Sequence, residues 1–405
     1  LTATVPPVAL LSLQTSAFVR PSLIVLGAGA AAATVLPSAP TNVFGVSKTA
    51  DTNDGTCDSD CSLREAISAA NAAASADTLL IPAGTYTLTL ANAGGINEDA
   101  NATGDLDING DLDFQKVGAG SLIIQAGTTN ANGIDKVFAF NPFCLGPVTS
   151  SISNLTVRFG RNTQPNTPGD FSDTGGGIDV CNTGAGGFTM TNVVVDQNTN
   201  LNAYGGGVNL DSVLPANGTY SITGSTISGN RTTSAAPVVK NAGSINVYGD
   251  AHNVTISNTT ISGNISAGNG GGIYVRHTNG GAITISSSTI SNNTAASRGG
   301  GLYNENLLAA TLTIDNDSVI SGNVSQGTVA GTESRGGGVF IGTTSPNQTT
   351  IRETTITGNQ ASTGTFQGGG GIAAIGGSIT AQFNRIVGNT AGSGGGSGFH
   401  NNGAN

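Results

Sequence analysis

From about residue 190 onward one phrase returns at a nearly regular interval, and that period limits what the chain can fold into. It reads VVVDQN, STISGN, TTISGN, STISNN, SVISGN, TTITGN and NRIVGN, closing on Asn198, Asn230, Asn264, Asn293, Asn323, Asn359 and Asn389 at spacings of 32, 34, 29, 30, 36 and 30 residues. A second phrase runs between them: GGGIDV, GGGVNL, GGGIYV, GGGLYN, GGGVFI and GGGIAA, with AGSINV at 242–247 as a degraded copy. A third apolar-alternating piece precedes each asparagine phrase, for example AITIS at 282–286. Three short β segments per period of about 30 residues, with insertions of varying length, describe one coil of a parallel β-helix.

The fold class expected is therefore all-β: a right-handed parallel β-helix of about ten coils with three strands per coil. Composition agrees. Gly supplies 62 of 405 residues and charged residues only 9%, which rules out a stack of amphipathic helices. Strand alternation puts Ile273 and Val275 inside the coil and Tyr274 outside. Asparagines at equivalent turns can pair their amides from coil to coil, so the seven are assigned to a structural ladder. Sequons at Asn230 and Asn264 arise from the same Asn- and Thr-rich composition.

A solenoid must cover its open end. CSLREAISAAN at 61–71 has the Ser62/Glu65 spacing of a capping box and an apolar stripe of Leu63, Ile67 and Ala70, so it reads as a short helix placed to plug the N-terminal end. TLLIPAGTYTLT at 78–89 then forms the first coil. The chain divides into a leader region over 1–40, a cap over 41–76 and repeats over 77–405, which break off in mid-pattern. Arg20 followed by PSLIVLGAGAAAATVLPSA (21–39) has the layout of a secretory signal. LIVLGAGAAA also mimics the opening of a dinucleotide site, but Pro37 and Pro40 break the helix that site needs.

Four cysteines fit export. Cys57 and Cys61 lie close enough to bridge a turn, leaving Cys144 and Cys181 as the natural second pair among three connectivities. The net charge of −10 argues against nucleic acid as a partner. The partner expected is a carbohydrate or another cell-surface ligand, with the chain secreted or at the cell surface and peripheral to any membrane at most.

CSLREAI with the following AAN resembles the signature of the CSLREA-domain proteins, a bacterial group of exported β-helix repeat proteins. IPAGTY is similar to the first coil of pectate-lyase-like folds, and the GGGIY and TISGN phrases resemble repeats of polymorphic outer-membrane adhesins of the autotransporter kind. Ile or Val stands here where those repeats carry Phe. The resemblance spans residues 57–405 and implies export and a surface role, without a settled activity.

Catalysis on polysaccharides would require clustered carboxylates on adjacent coils. The position after the GGG aliphatic runs Asp179, Asn209, Asn246, Tyr274, Tyr303, Phe340, Ala373, which holds one acid and no pair. Asp179, Asp196 and Asp211 are the acids that could still converge. The same column yields the binding expectation: Tyr274, Tyr303 and Phe340 projecting outward from successive coils as an exposed stripe for sugar rings, against the plainer reading of stacked aromatics that stabilise neighbouring strands. Arg298 and Arg335, each directly before a GGG, should stack and could receive an acidic glycan. DLDINGDLDF (105–114) opens like a calcium loop, with Asp105, Asp107, Asn109 and Asp111 as possible calcium ligands, although Lys116 stands where the last carboxylate is expected. No other cofactor is expected. The leading function is a non-catalytic, adhesin-like scaffold; the alternative is a polysaccharide lyase or glycoside hydrolase.

Overall fold

The computed structural model describes residues 42–73, 75–93, 98–164, 174–213, 218–233, 241–250, 252–307, 310–329, 334–342, 348–362, 368–392 and 395–401; the leader region and Glu333 lie outside these. The described residues form a parallel β-helix with three sheets of 19, ten and eight strands, and every strand pairing in them is parallel. One α-helix is present among them, Leu63–Ala72.

A typical coil shows how the repeat folds. Gly187–Thr191 and Val194–Asp196 both belong to the 19-stranded sheet 1, joined by a bend at Asn192, whose φ is 54°. The bend recurs at Gly224, Asn258 and Ser287, all with positive φ, a region that favours Gly and Asn. After a second bend at Gln197, the pair Thr199–Asn200 contributes to the eight-stranded sheet 3. The chain then turns through GGG into Val208–Ser212 of the ten-stranded sheet 2. Two of the three segments expected from sequence thus fuse into one kinked sheet. The third sheet comes from two-residue strands after each asparagine, too short to show any alternation.

The core follows from the pleat. Ile222, Ile256, Ile285, Ile314 and Ile351 stack in register from coil to coil, as do Ile227, Ile261, Ile290, Ile320 and Ile356, and Ile273 and Val275 lie in the same buried core. Near the N-terminal end the filling is aromatic, with Phe114, Phe138, Phe140 and Phe188 in successive ring contacts of 4.9–6.1 Å.

The asparagine ladder runs unbroken from Asn198 to Asn389. Each Nδ2 donates to the next Oδ1 at 2.9–3.1 Å, and the same Oδ1 accepts the preceding residue's backbone N–H. The second Nδ2 proton goes to a strand carbonyl, as from Asn293 to Ile261 O at 2.9 Å. Four bonds on each inner side chain, and three on Asn198 and Asn389 at the ends, satisfy these buried amides, which is what permits polar groups inside the solenoid.

Every letter of CSLREA has a physical task at the cap. Cys61 is bridged to Cys57. Ser62 Oγ accepts Glu65 N–H at 3.1 Å, while Glu65 Oε2 accepts Ser62 N–H at 2.7 Å, closing the capping box. Leu63, Ala66 and Ile67 enter the core. Arg64 is fully buried, bonded to Asp51 Oδ1 at 2.8 Å and to the carbonyls of Thr103, Gly104 and Asp105 at 2.8–3.2 Å. The second disulfide joins Cys144 to Cys181, with Cα atoms 5.2 Å apart.

Candidate functional site

The outward side of sheet 2 carries most of the chemistry in the repeat. Register places Asp179 opposite Asn209, Asn209 opposite Asn246, then Tyr274, Tyr303, Phe340 and Ala373 in one column. Two residues further along each strand lie Asp211, Tyr248 and Arg276, with Glu305 just past the paired Val275 and Asn304.

The three aromatics depart from expectation. Their rings stack as foreseen, at 5.5 Å between Tyr274 and Tyr303 and 4.9 Å between Tyr303 and Phe340. They are nonetheless covered: none exceeds 4% exposure, and with Ala242 and Ala373 they make a small apolar cluster separate from the main core. An exposed sugar-stacking stripe is therefore excluded. Strand alternation had assigned the correct face of the sheet but carried no information on what lies over it.

The half-buried groups beside this floor are polar and were mostly missed. The Arg298 guanidinium lies 5.5 Å from the centre of the Phe340 ring, and Arg276 sits 5.6 Å from that of Tyr248, both within cation–π range. Arg298 and Arg335 occupy the same turn on successive coils, with Gly299 N–H bonded to Arg335 O at 2.9 Å. Tyr274 Oη donates to Glu305, and burial, reinforced by that carboxylate, raises the Tyr274 hydroxyl well above its usual value. Tyr204 joins the group: burial raises its hydroxyl, with Tyr248 and Glu305 adding to the effect and Arg276 opposing it. Tyr204 and Tyr248 precede and follow repeat phrases rather than standing in them, so only the folded register shows that they belong here.

The acids separate. Asp179 and Asp211 lie on adjacent coils, with Asn209 Nδ2 and Thr174 Oγ1 each 2.8 Å from Asp179 Oδ1. Asp196 stands on sheet 1, bonded to Ser228 and Gln197, and does not join them. Asp179 and Asp211 are at most 4% exposed, and burial next to Asp179 pushes the Asp211 carboxyl well up. Of the possible calcium ligands, two are enclosed and two bond other segments through side chain or backbone. Asp105 and Asp107 are buried, Asp111 Oδ1 accepts Thr149 N–H, and Asn109 N–H bonds Asn71. Among the described residues no three His, Cys, Asp or Glu side chains converge as a metal would require.

A second buried cluster lies between sheets 2 and 1. His252 and His277 meet edge to face at 4.6 Å, His252 meets Tyr220 at 4.8 Å, and Tyr220 Oη donates to Asp211 O. Burial pushes His252 down to about 4, against the smaller opposing influence of Asp250, and carries His277 well below its usual range, with His252 adding to the effect. Both rings are therefore neutral in the folded chain, whereas in the unfolded chain they gain protons below about pH 6.5. Stability is full above that value and falls as the pH drops towards 4. Urea titrations of the wild type and of the His252→Phe/His277→Phe variant should diverge over this window, the variant losing less; the difference isolates the imidazoles from buried acids common to both.

The strands themselves define the class to which the chain belongs, the parallel β-helices. No family model matches it, and no curated protein does. Among solved structures it is similar to the pectate lyase Pel9A, over 91% of this chain and 78% of that one, at 14% identity and a TM-score of 0.38. It is also similar to PfbA, a surface adhesin of Streptococcus pneumoniae, over 84% of this chain and 88% of that one, at 13% identity and a TM-score of 0.27.

Proposed function

We propose that the chain is an exported, non-catalytic scaffold that binds an acidic carbohydrate on the outward side of sheet 2. The observation that carries this reading is the set of half-buried guanidinium groups beside an aromatic floor, Arg298 and Arg335 at the same turn of successive coils and Arg276 on the strand of the coil before them. In a protein of net charge −10, three of the 14 Lys and Arg side chains gathered on one face stand out against the remainder. Guanidinium groups pair with carboxylates through two parallel hydrogen bonds, and equivalent positions on neighbouring coils lie about 4.8 Å apart. Two disulfides support export.

Burial speaks against catalysis at Asp179 and Asp211, because a general acid or base must reach its substrate within hydrogen-bond distance. The test is a binding screen of the full chain against uronate-containing, sulfated and neutral glycans, with product release followed on each. We expect binding to acidic glycans that weakens with salt and falls roughly tenfold or more in Arg298→Ala/Arg335→Ala. Turnover of a bound polysaccharide would establish the lyase or hydrolase alternative. Equal affinity for neutral and acidic glycans would remove the arginines from the account.

A further inference from the structure

Among the described residues one lysine is wholly enclosed. Lys136 lies just before the strand Phe138–Phe140, at 0% exposure, and the acids acting on it are Asp105, Asp135, Asp179 and Asp107. Three of these four are held by other donors. Asp135 accepts from Asn92 Nδ2 at 2.6 Å and from Lys136 N–H at 2.8 Å, Asp107 accepts from Asn101 N–H at 2.9 Å, and Asp179 accepts from Thr174 and Asn209. Asp105 is different: it is fully buried, neither carboxyl oxygen accepts a hydrogen bond, and Lys136 Nζ stands 3.6 Å from its Oδ2. That is longer than a charge-assisted hydrogen bond, and it sets the amine beside the carboxyl group whose carbon it would attack.

We propose that Lys136 and Asp105 are joined by an intramolecular isopeptide bond, formed without an external enzyme, with Asp107 as proton acceptor. Asp107 lies on the strand Leu106–Ile108 that Asp105 leads into, the two carboxyls are close enough to act on each other, and Asp107 Oδ1 has no hydrogen-bond partner. In the reaction the Lys136 ammonium passes one proton to the Asp107 carboxylate. The freed amine attacks Asp105 Cγ, a C–N bond forms, and the Asp105 hydroxyl leaves with a second proton from nitrogen as water. A neutral amide and a protonated Asp107 remain, so atoms and charge balance, and no oxidant or cofactor is involved.

Burial works to release the Lys136 proton, but Asp105, Asp135, Asp179 and Asp107 outweigh it and hold the ammonium above its ordinary value, so the step needs a proton acceptor close by. Burial, only partly offset by Lys136, pushes Asp105 up to about 8, which keeps its carboxyl in the neutral form that can lose water. Burial raises Asp107 well above its usual value too, and the nearby Asp105 adds to this, so beside the Lys136 ammonium the two carboxyls can share one proton, one neutral and the other a base. Replacing an enclosed ion pair by an amide also removes the desolvation cost of two buried charges. The bond would tie the flank of sheet 2's first strand, Leu106–Ile108, to that of the next, Phe138–Phe140, directly beneath the Arg64 anchor.

The test is the intact mass of the purified full chain with both disulfides formed. We expect a mass lower by one water, no tryptic cleavage after Lys136, and a branched peptide joining the 105 and 136 segments. Asp105→Asn should lose ammonia instead and reach the same final mass as the wild type. Asp107→Asn, which keeps the side-chain shape, should leave folded chain unreacted, with bond formation slowed roughly a hundredfold. A folded wild type of full mass that is cleaved after Lys136 would overturn the proposal and leave a buried ion pair. A water loss mapping to other residues would do the same. Unchanged kinetics in Asp107→Asn would remove Asp107 from the reaction.

Discussion

Replacing Arg64 by Leu is expected to lower the unfolding free energy by about 3–5 kcal/mol and to open the N-terminal coil first. The apolar substitute can fill the volume, but the carbonyls of Thr103, Gly104 and Asp105 lose their donor, and Asp51 is left with only the N–H groups of Thr89 and Leu90. Those carbonyls belong to the segment leading into sheet 2, so the damage should be local before it is global. Hydrogen exchange followed by mass spectrometry provides the check: protection should fall over residues 42–108 while the repeats beyond Asn198 keep theirs. Uniform loss along the chain would mean that the cap and the repeats unfold as one unit.

The second large effect is expected in mid-ladder. Asn293→Ala leaves the backbone and side-chain N–H groups of Asn264 and the carbonyl of Ile261 without partners, all inside the solenoid. At about 1–3 kcal/mol for each buried orphan, the loss should be roughly 3–6 kcal/mol by urea unfolding. Asn293→Asp distinguishes the ladder from simple packing. A carboxylate there would face Asn323 Oδ1, so its folded pKa must rise, and measured against the wild type at each pH the variant should lose more stability at pH 7 than at pH 5, where a protonated acid can again donate. A packing role alone would leave that pH difference absent.

Much of this architecture was legible from the repeat. The apolar columns, the asparagine ladder and the capping box are each set by residues at fixed spacing, and fixed spacing is what a sequence displays. Sheet 3 was hidden because two residues, such as Thr199 and Asn200, hold no pattern. The coverage of Tyr274, Tyr303 and Phe340 was hidden for another reason. Alternation distinguishes the two faces of a strand, whereas burial of the outer face depends on neighbours distant in the chain. Lys136 carried no signal at all, since its surroundings are assembled from Asp105, Asp135 and Asp179, which lie in different coils.

The corners of the coil are unequal in length. Between sheet 1 and sheet 3 two residues always intervene, from Phe159–Gly160 in an early coil to Gly388–Asn389 in the last. Between sheet 3 and sheet 2 the connection ranges from six residues (267–272) to fifteen (163–177). The asparagine ladder runs through the constant corner, so it acts as a spine against which every coil is indexed. Variation in period falls instead at the corner between sheets 3 and 2 and, to a smaller extent, at the one between sheets 2 and 1, which ranges from two residues (280–281) to eight (141–148). A segment inserted at the variable corner would lengthen one rung without shifting the next, which makes the chain a ruler whose graduations stay fixed while what is displayed beside each can be rewritten.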